Sequence, residues 1–103
     1  MPLSISYSSS ADTSVIELAG ELDASTAAEF HEVIEKAAAR GLGTVEIRMT
    51  KVGYMASAGL RSLVFARQKM GEGVDIRVVG ANEAVTRVIR AAGLDRSVQL
   101  SDG

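Results

Sequence analysis

A chain of 103 residues with 11 basic and 13 acidic side chains, net charge -2, has the length of one domain and no electrostatic footprint for a nucleic-acid backbone. With no cysteine it has neither a disulfide scaffold nor a thiolate metal site, and its single histidine cannot form an imidazole cluster. One core of ordinary size, in a reducing cytoplasm and with no metal or other cofactor, is the expectation.

The opening MPLSISYSSS has no basic stretch followed by a long apolar run, and no apolar run in the chain is long enough to cross a bilayer. A soluble protein without membrane insertion is expected, with a monomer favoured and the oligomeric state left open by the sequence. Residues 3–7 alternate apolar and polar, as does Val15 to Leu18, so two neighbouring strands are predicted with the polar SSSADTS as their connection. After Gly20-Glu21-Leu22-Asp23, Ala27, Phe30, Val33 or Ile34, and Ala37 recur at helical spacing, which predicts an amphipathic helix from about Ala24 to Arg40. Gly41 and Gly43 stop it, and Thr44 to Met49 alternates Val45, Ile47 and Met49 with Glu46 and Arg48 as a third strand.

A second helix is predicted from about Ser57 to Met70, with Leu60, Leu63, Val64 and Met70 inward, and then a strand from Val74 to Val79. Asn82-Glu83-Ala84 opens a third helix whose apolar stripe is Val85, Val88, Ile89 and Ala92, and Ser97 to Leu100 closes the chain as an edge strand. Strands alternating with helices through short glycine-rich connections, after a hairpin, give an α/β fold. A single domain is expected, with a mixed four- or five-stranded sheet covered by about three helices.

The passage from strand to helix near residue 57 carries the chemistry. A serine there can cap the free N–H groups of the first turn, and a phosphate on it would meet the positive end of the helix dipole, so Ser57 reads as a cap, a phosphorylation switch, or both. Asp23 reads as the N-cap of the first helix or as a polar contact near that surface. Ser62 and Thr50 are lesser hydroxyl candidates, one within a helix and the other free to bond a turn. His31, beside Phe30 and without a second histidine or any cysteine, reads as structural. Arg87 and Arg90 read as a solvated face.

Three patterns together resemble the STAS domain family, and within it the bacterial anti-sigma factor antagonists. They are Ile16-Glu17-Leu18-Ala19-Gly20-Glu21-Leu22-Asp23, Val52-Gly53-Tyr54-Met55-Ala56-Ser57-Ala58-Gly59-Leu60, and Val85-Thr86-Arg87-Val88-Ile89 leading to Ala91-Ala92-Gly93-Leu94. The resemblance implies that Ser57 is the phosphoacceptor and that Asp23, Tyr54, Met55, Ala56, Ala58, Gly59 and Leu60 form the partner interface. The implied partners are a kinase-like anti-sigma factor, bound without phosphate and released with it, and a serine phosphatase that resets the switch.

The family's usual Asp-Ser-Ser-Gly or Asp-Ser-Thr-Gly is here Ala56-Ser57-Ala58-Gly59, and Arg48 stands where many relatives carry Asp or Asn. Because base and metal belong to the kinase in such systems, loss of the neighbouring carboxylate is compatible with acceptance. Arg48 reads either as a contact that pairs a phosphate on Ser57 or as a solvent-facing strand residue. Two other classes compete. One is an accessory STAS subunit docked on the ATPase of a membrane phospholipid transporter, which needs no phosphoserine. The other is an enzyme, but no base accompanies Ser57 in sequence, no glycine loop suits phosphate, and Gly41-Leu42-Gly43 is only a helix stop.

Overall fold

The serine-rich opening of the chain is strand rather than loop. In the computed structural model, which describes residues 2–102, β1 (Ser4–Ser10) runs antiparallel to β2 (Thr13–Leu22) in unbroken register, from Ser4 opposite Ala19 to Ser10 opposite Thr13. Ala11 and Asp12 alone make the turn, with Ala11 at a φ of 48° as a tight hairpin of right-handed twist requires. Three crossovers follow: α1 (Ala27–Arg40) leads to β3 (Thr44–Met55), α2 (Ser57–Met70) to β4 (Asp75–Val79), and α3 (Glu83–Ala91) with a short 3-10 turn (Leu94–Arg96) to β5 (Gln99–Ser101).

The strand order is β1-β2-β3-β4-β5, with every pair after the first parallel. Right-handed crossovers that always add the next strand on the same side place every helix on one face of the sheet. The alternation of burial agrees. Ile16, Leu18, Leu22, Val45, Ile47, Met49, Ile76 and Val78 are buried beneath Phe30 and Ile34 of α1, Leu63 and Ala66 of α2, and Val85 and Ile89 of α3. The opposite face carries Glu17, Glu46, Arg48 and Arg77 towards solvent, where Arg48 pairs with Glu46 at 2.6 Å and Arg77 with Asp75 at 2.8 Å. The mixed sheet and helical cover expected from sequence are present, with the cover confined to one side.

Several boundaries differ from expectation for local reasons. α1 begins three residues late because residues 23–26 are held in a turn, and it ends at Gly41, whose φ of 66° lies in the left-handed region. β3 continues six residues past Met49, across register shifts against β2 at Glu17/Ala19 and Gly20/Glu21 that spoil the alternation. β4 pairs only with Thr44–Arg48, so the far half of β3 projects beyond it. There the side chain of Asn82 donates to the Val52 carbonyl at 3.3 Å while capping α3 by accepting from the Val85 N–H at 2.8 Å.

In α2, Val64 is 40% exposed rather than inward, and small residues, Ala58, Gly59, Ser62 and Ala66, join Leu63 against the core. Ala92 lies exposed beyond the end of α3. The half-buried guanidinium of Arg67 ties the C-terminal end of α2 to its surroundings, donating to the carbonyls of Gly71 and Val74, each at 2.7 Å, and to that of Ser97. Among the described residues no helix is long and apolar enough to cross a membrane.

Candidate functional site

Strands β2 and β3 end side by side, Leu22 opposite Met55, and the Ala56 N–H donates to the Leu22 carbonyl at 2.9 Å. Asp23 and Ser57 therefore leave the sheet from adjacent strand ends, at the carboxyl edge of its parallel part. Open α/β sheets present ligand and partner sites at that edge.

Ala56 takes an extended conformation, φ -89° and ψ 176°, and is the N-cap of α2; Ser57 is the first helical residue. The capping role expected of Ser57 is corrected by this one-residue offset. The N-cap position belongs to a side chain that has no oxygen, so the first turn has no side-chain cap. Ser57 is exposed, and among the described residues its hydroxyl has no hydrogen-bond partner. A phosphate on it would stand at the N–H end of a helix of 14 residues with open solvent in front.

Asp23 is not the side-chain N-cap of α1 either; Thr26 occupies that position. Asp23 instead organises the preceding turn. Its carboxylate accepts from the Ser25 hydroxyl at 2.7 Å and the Ser25 N–H at 2.9 Å, while its carbonyl accepts from the N–H groups of Thr26 and Ala27. The Ser25 hydroxyl bond, with further help from the Ser25 and Thr26 N–H and hydroxyl groups, holds the Asp23 carboxyl below the usual aspartate range. The Thr26 hydroxyl donates to the Glu21 carbonyl at 2.9 Å and locks the turn onto the end of β2.

The other expected interface residues separate into two sets. Tyr54 is 54% exposed, and Ala56 and Leu60 are half-buried. Met55 and Ala58 are buried at 6% and 7%, and Gly59 is buried with them, so these three form the floor of the surface rather than the surface itself. Gly59 sets how close α2 comes to the sheet, because a Cβ there would lie 2.6 Å from Met55 Cγ and 3.0 Å from Leu22 Cγ.

Val64, Val85 and Val88, expected from sequence to face the core, and Ala84, which had no assigned role, also border this surface. Val64 lies two turns along α2 from Ser57, and a groove of about 120 Å³ is lined by Gly53, Tyr54, Met55, Ala84, Val85 and Val88. The only signal available in the sequence was a helical stripe slightly wider than the core needs.

Arg48 is not brought to Ser57. The strand from Arg48 to Met55, rising about 3.3 Å per residue, sets the two ends roughly 20 Å apart, and Arg48 faces the side of the sheet that α2 does not cover. Of the remaining hydroxyls, Thr50 is exposed, whereas Ser62 is fully buried with its oxygen 2.8 Å from His31 Nε2. Half-buried His31 stacks on Phe65 with ring centroids 4.3 Å apart. Among the described residues no three His, Cys, Asp or Glu side chains gather as a metal site.

A family model described as "Mlab, STAS domain" matches residues 5–101. The anti-sigma-F factor antagonist RsfB of Mycobacterium tuberculosis is 31% identical over 86 residues, covering 84% of this chain and 70% of that protein. Among solved structures, an anti-sigma factor antagonist from Mycobacterium paratuberculosis matches with a TM-score of 0.88 at 26% identity, over 96% of this chain and 85% of that one. The Bacillus cell fate determinant SpoIIAA in its phosphorylated form matches with a TM-score of 0.73 at 18% identity, over 94% and 90%, a likeness of fold alone. The sheet order, the strand-to-helix junction at Ser57 and these matches agree: the chain belongs to the STAS domain family, and its relatives there are anti-sigma factor antagonists.

Proposed function

We propose that this chain is an anti-sigma factor antagonist that switches partners through Ser57. Without phosphate it binds a kinase-like anti-sigma factor in the cytoplasm, phosphate on Ser57 releases it, and a serine phosphatase restores binding. It acts by binding and carries out no catalysis of its own. The observation that carries this reading is the unpartnered, exposed hydroxyl at the first position of α2, at the carboxyl edge of the sheet, with the exposed side chains of Tyr54 and Val64 on the two elements that meet there.

The energetics favour a switch of binding rather than of fold. A phosphate adds about -1.5 to -2 charge, and the helix end offsets it by about 1 kcal/mol, so the folded chain barely responds. Against an apolar partner surface the same charge, desolvated and unpaired, costs several kcal/mol, where each ~1.4 kcal/mol is tenfold in affinity.

The test is a capture from the native cell with wild type, Ser57→Ala and Ser57→Asp as bait, with the modification state of Ser57 read by mass spectrometry. The proposal expects a kinase-like protein held by the first two and lost from the third, with phosphate found on Ser57. A second reading, a constitutive docking subunit on a transporter ATPase, is favoured by the absence of any carboxylate or hydroxyl at Ala56 and Ala58 beside the acceptor. Retention of one partner by all three baits, with Ser57 unmodified, would establish that reading and remove the switch.

A further inference from the structure

Strand β1 is the outer strand of the sheet and, among the described residues, pairs only with β2. It is seven residues long, SISYSSS, with no charge, no proline, no glycine and no register shift. Natural sheets guard edges of that length with lysine, proline, a bulge or a covering element, because a row of free N–H and C=O groups templates another strand. The opposite edge, β5, needs no such guard, since it has only three residues.

Register fixes which groups are free. In a two-residue hairpin the closing residues, here Ser10 and Thr13, exchange both main-chain bonds, and the pattern then alternates. Ser4, Ser6, Ser8 and Ser10 thus bond to β2, and Ile5, Tyr7 and Ser9 turn their N–H and C=O groups outward. On the helix-bearing face Ile5 and Tyr7 are half-buried against the core, with the Tyr7 hydroxyl 3.1 Å from Ser14 Oγ.

We infer that the β1 edge is the interface of a homodimer, with a second copy of this chain adding its own β1 antiparallel about a two-fold axis at Tyr7. The outward set is symmetric about that residue: Ile5 meets Ser9 of the second copy, Tyr7 meets Tyr7, and about six main-chain hydrogen bonds form across the axis. A strand without charge has nothing to attract a charged partner and nothing to repel itself. The two five-stranded sheets become one continuous sheet with all helices on the same side. The axis reverses strand direction, so the two Ser57 surfaces lie at opposite ends and stay open. This inference is independent of the phosphorylation switch.

The pairing places Ser6 opposite Ser8 of the second copy on the helix-free face, and that position supplies the test. Sedimentation of the intact protein is compared with that of Ser6→Lys/Ser8→Lys and Ser6→Lys/Ser8→Glu, with circular dichroism confirming the fold of each. Expected are a wild-type dimer of 10.8 kDa chains, self-association weakened about tenfold or more by the two like-charge contacts of the first variant and partly restored by salt, and a dimer again for the second. A wild type that stays monomeric at millimolar concentration, or a doubly lysine-substituted chain that dimerises as well as wild type, overturns the inference.

Discussion

His31 and Ser62, on neighbouring helices α1 and α2, are joined by a hydrogen bond whose direction is set. The Ser62 hydroxyl spends its single hydrogen on the Ala58 carbonyl at 3.0 Å, so it accepts from His31 Nε2 at 2.8 Å, and the network assigns the hydrogen to that nitrogen. With the His31 ring stacked on Phe65, this cluster ties α1 to the first three turns of the helix that carries Ser57. His31→Ala is expected to destabilise the protein by about 1 to 2 kcal/mol, the sum of one neutral hydrogen bond and one stacked pair. Urea denaturation measures it, and a double-mutant cycle with Phe65→Leu should show non-additivity, since the two rings touch.

Because Ala56 and not Ser57 holds the N-cap position of α2, stability should respond to substitution at residue 56 and hardly at residue 57. Ser57→Ala is expected to change stability by less than about 0.5 kcal/mol, as for an exposed side chain without a partner. Ala56→Asp, at extended φ and ψ, gains a carboxylate acceptor for the free N–H of Ala58, since that of Gly59 already donates to the Ala56 carbonyl, and should stabilise by about 1 kcal/mol. Thermal unfolding of both variants decides the matter, and a cost of 1 kcal/mol or more for Ser57→Ala, on the scale of a lost cap, would return the capping role to Ser57.

Gly59 allows α2 to lie against Leu22 and Met55, and alanine there has no free space. Gly59→Ala should cost about 1 to 3 kcal/mol through overpacking, in spite of alanine's better helix propensity. The helix must shift outward to accept the methyl group, so partner affinity should fall even though residue 59 is itself buried. Calorimetry paired with a binding measurement separates the two effects.

The Asp23 turn gives a pH dependence of definite sign. Its carboxyl titrates below the ordinary value of 3.8 in the folded chain, chiefly because the Ser25 hydroxyl bonds the ionised form. Its contribution to stability is therefore complete above 3.8 and is lost as pH falls through the lower folded value. Carboxyl-detected NMR should place the Asp23 midpoint below that of an unfolded aspartate, and Ser25→Ala should raise it. An unchanged midpoint in Ser25→Ala would show that the hydroxyl bond is not the cause.

Period and punctuation made most of the fold legible. α1 and α3 follow from helical spacing ended by glycine, and the inner half of β3 from strict alternation of Val45, Ile47 and Met49. Three features escaped for distinct reasons. Ser8, Ser9 and Ser10 have low strand propensity and looked like loop, yet cross-strand pairing with β2 overrides propensity at an edge. The outer half of β3 lost its period at the register shifts, so a strand of 12 residues looked half that long. At the site, the hydroxyl of Ser57 was legible from its position between strand and helix, but which neighbours line its surface was not. Ala84, Val88 and Val64 come from elements whose packing is decided in three dimensions, and Arg48 was set aside only when the sheet showed which face it takes.

Beyond Arg48, β3 pairs with β2 on one flank and, among the described residues, with no strand on the other, where Asn82 bonds Val52 and α3 lines a groove with Gly53, Tyr54 and Met55. A segment paired along a single flank depends on its side chains to stay in place, and here Met49, Val52 and Met55 anchor it in the core. Ser57 stands at the end of that segment, at a helix position where fraying begins. Peeling back this strand tip and the first helical turn would strip Val52, Met55 and Ala58 from the core, so a partner of the kind proposed would have to take the Ser57 hydroxyl where the folded domain presents it.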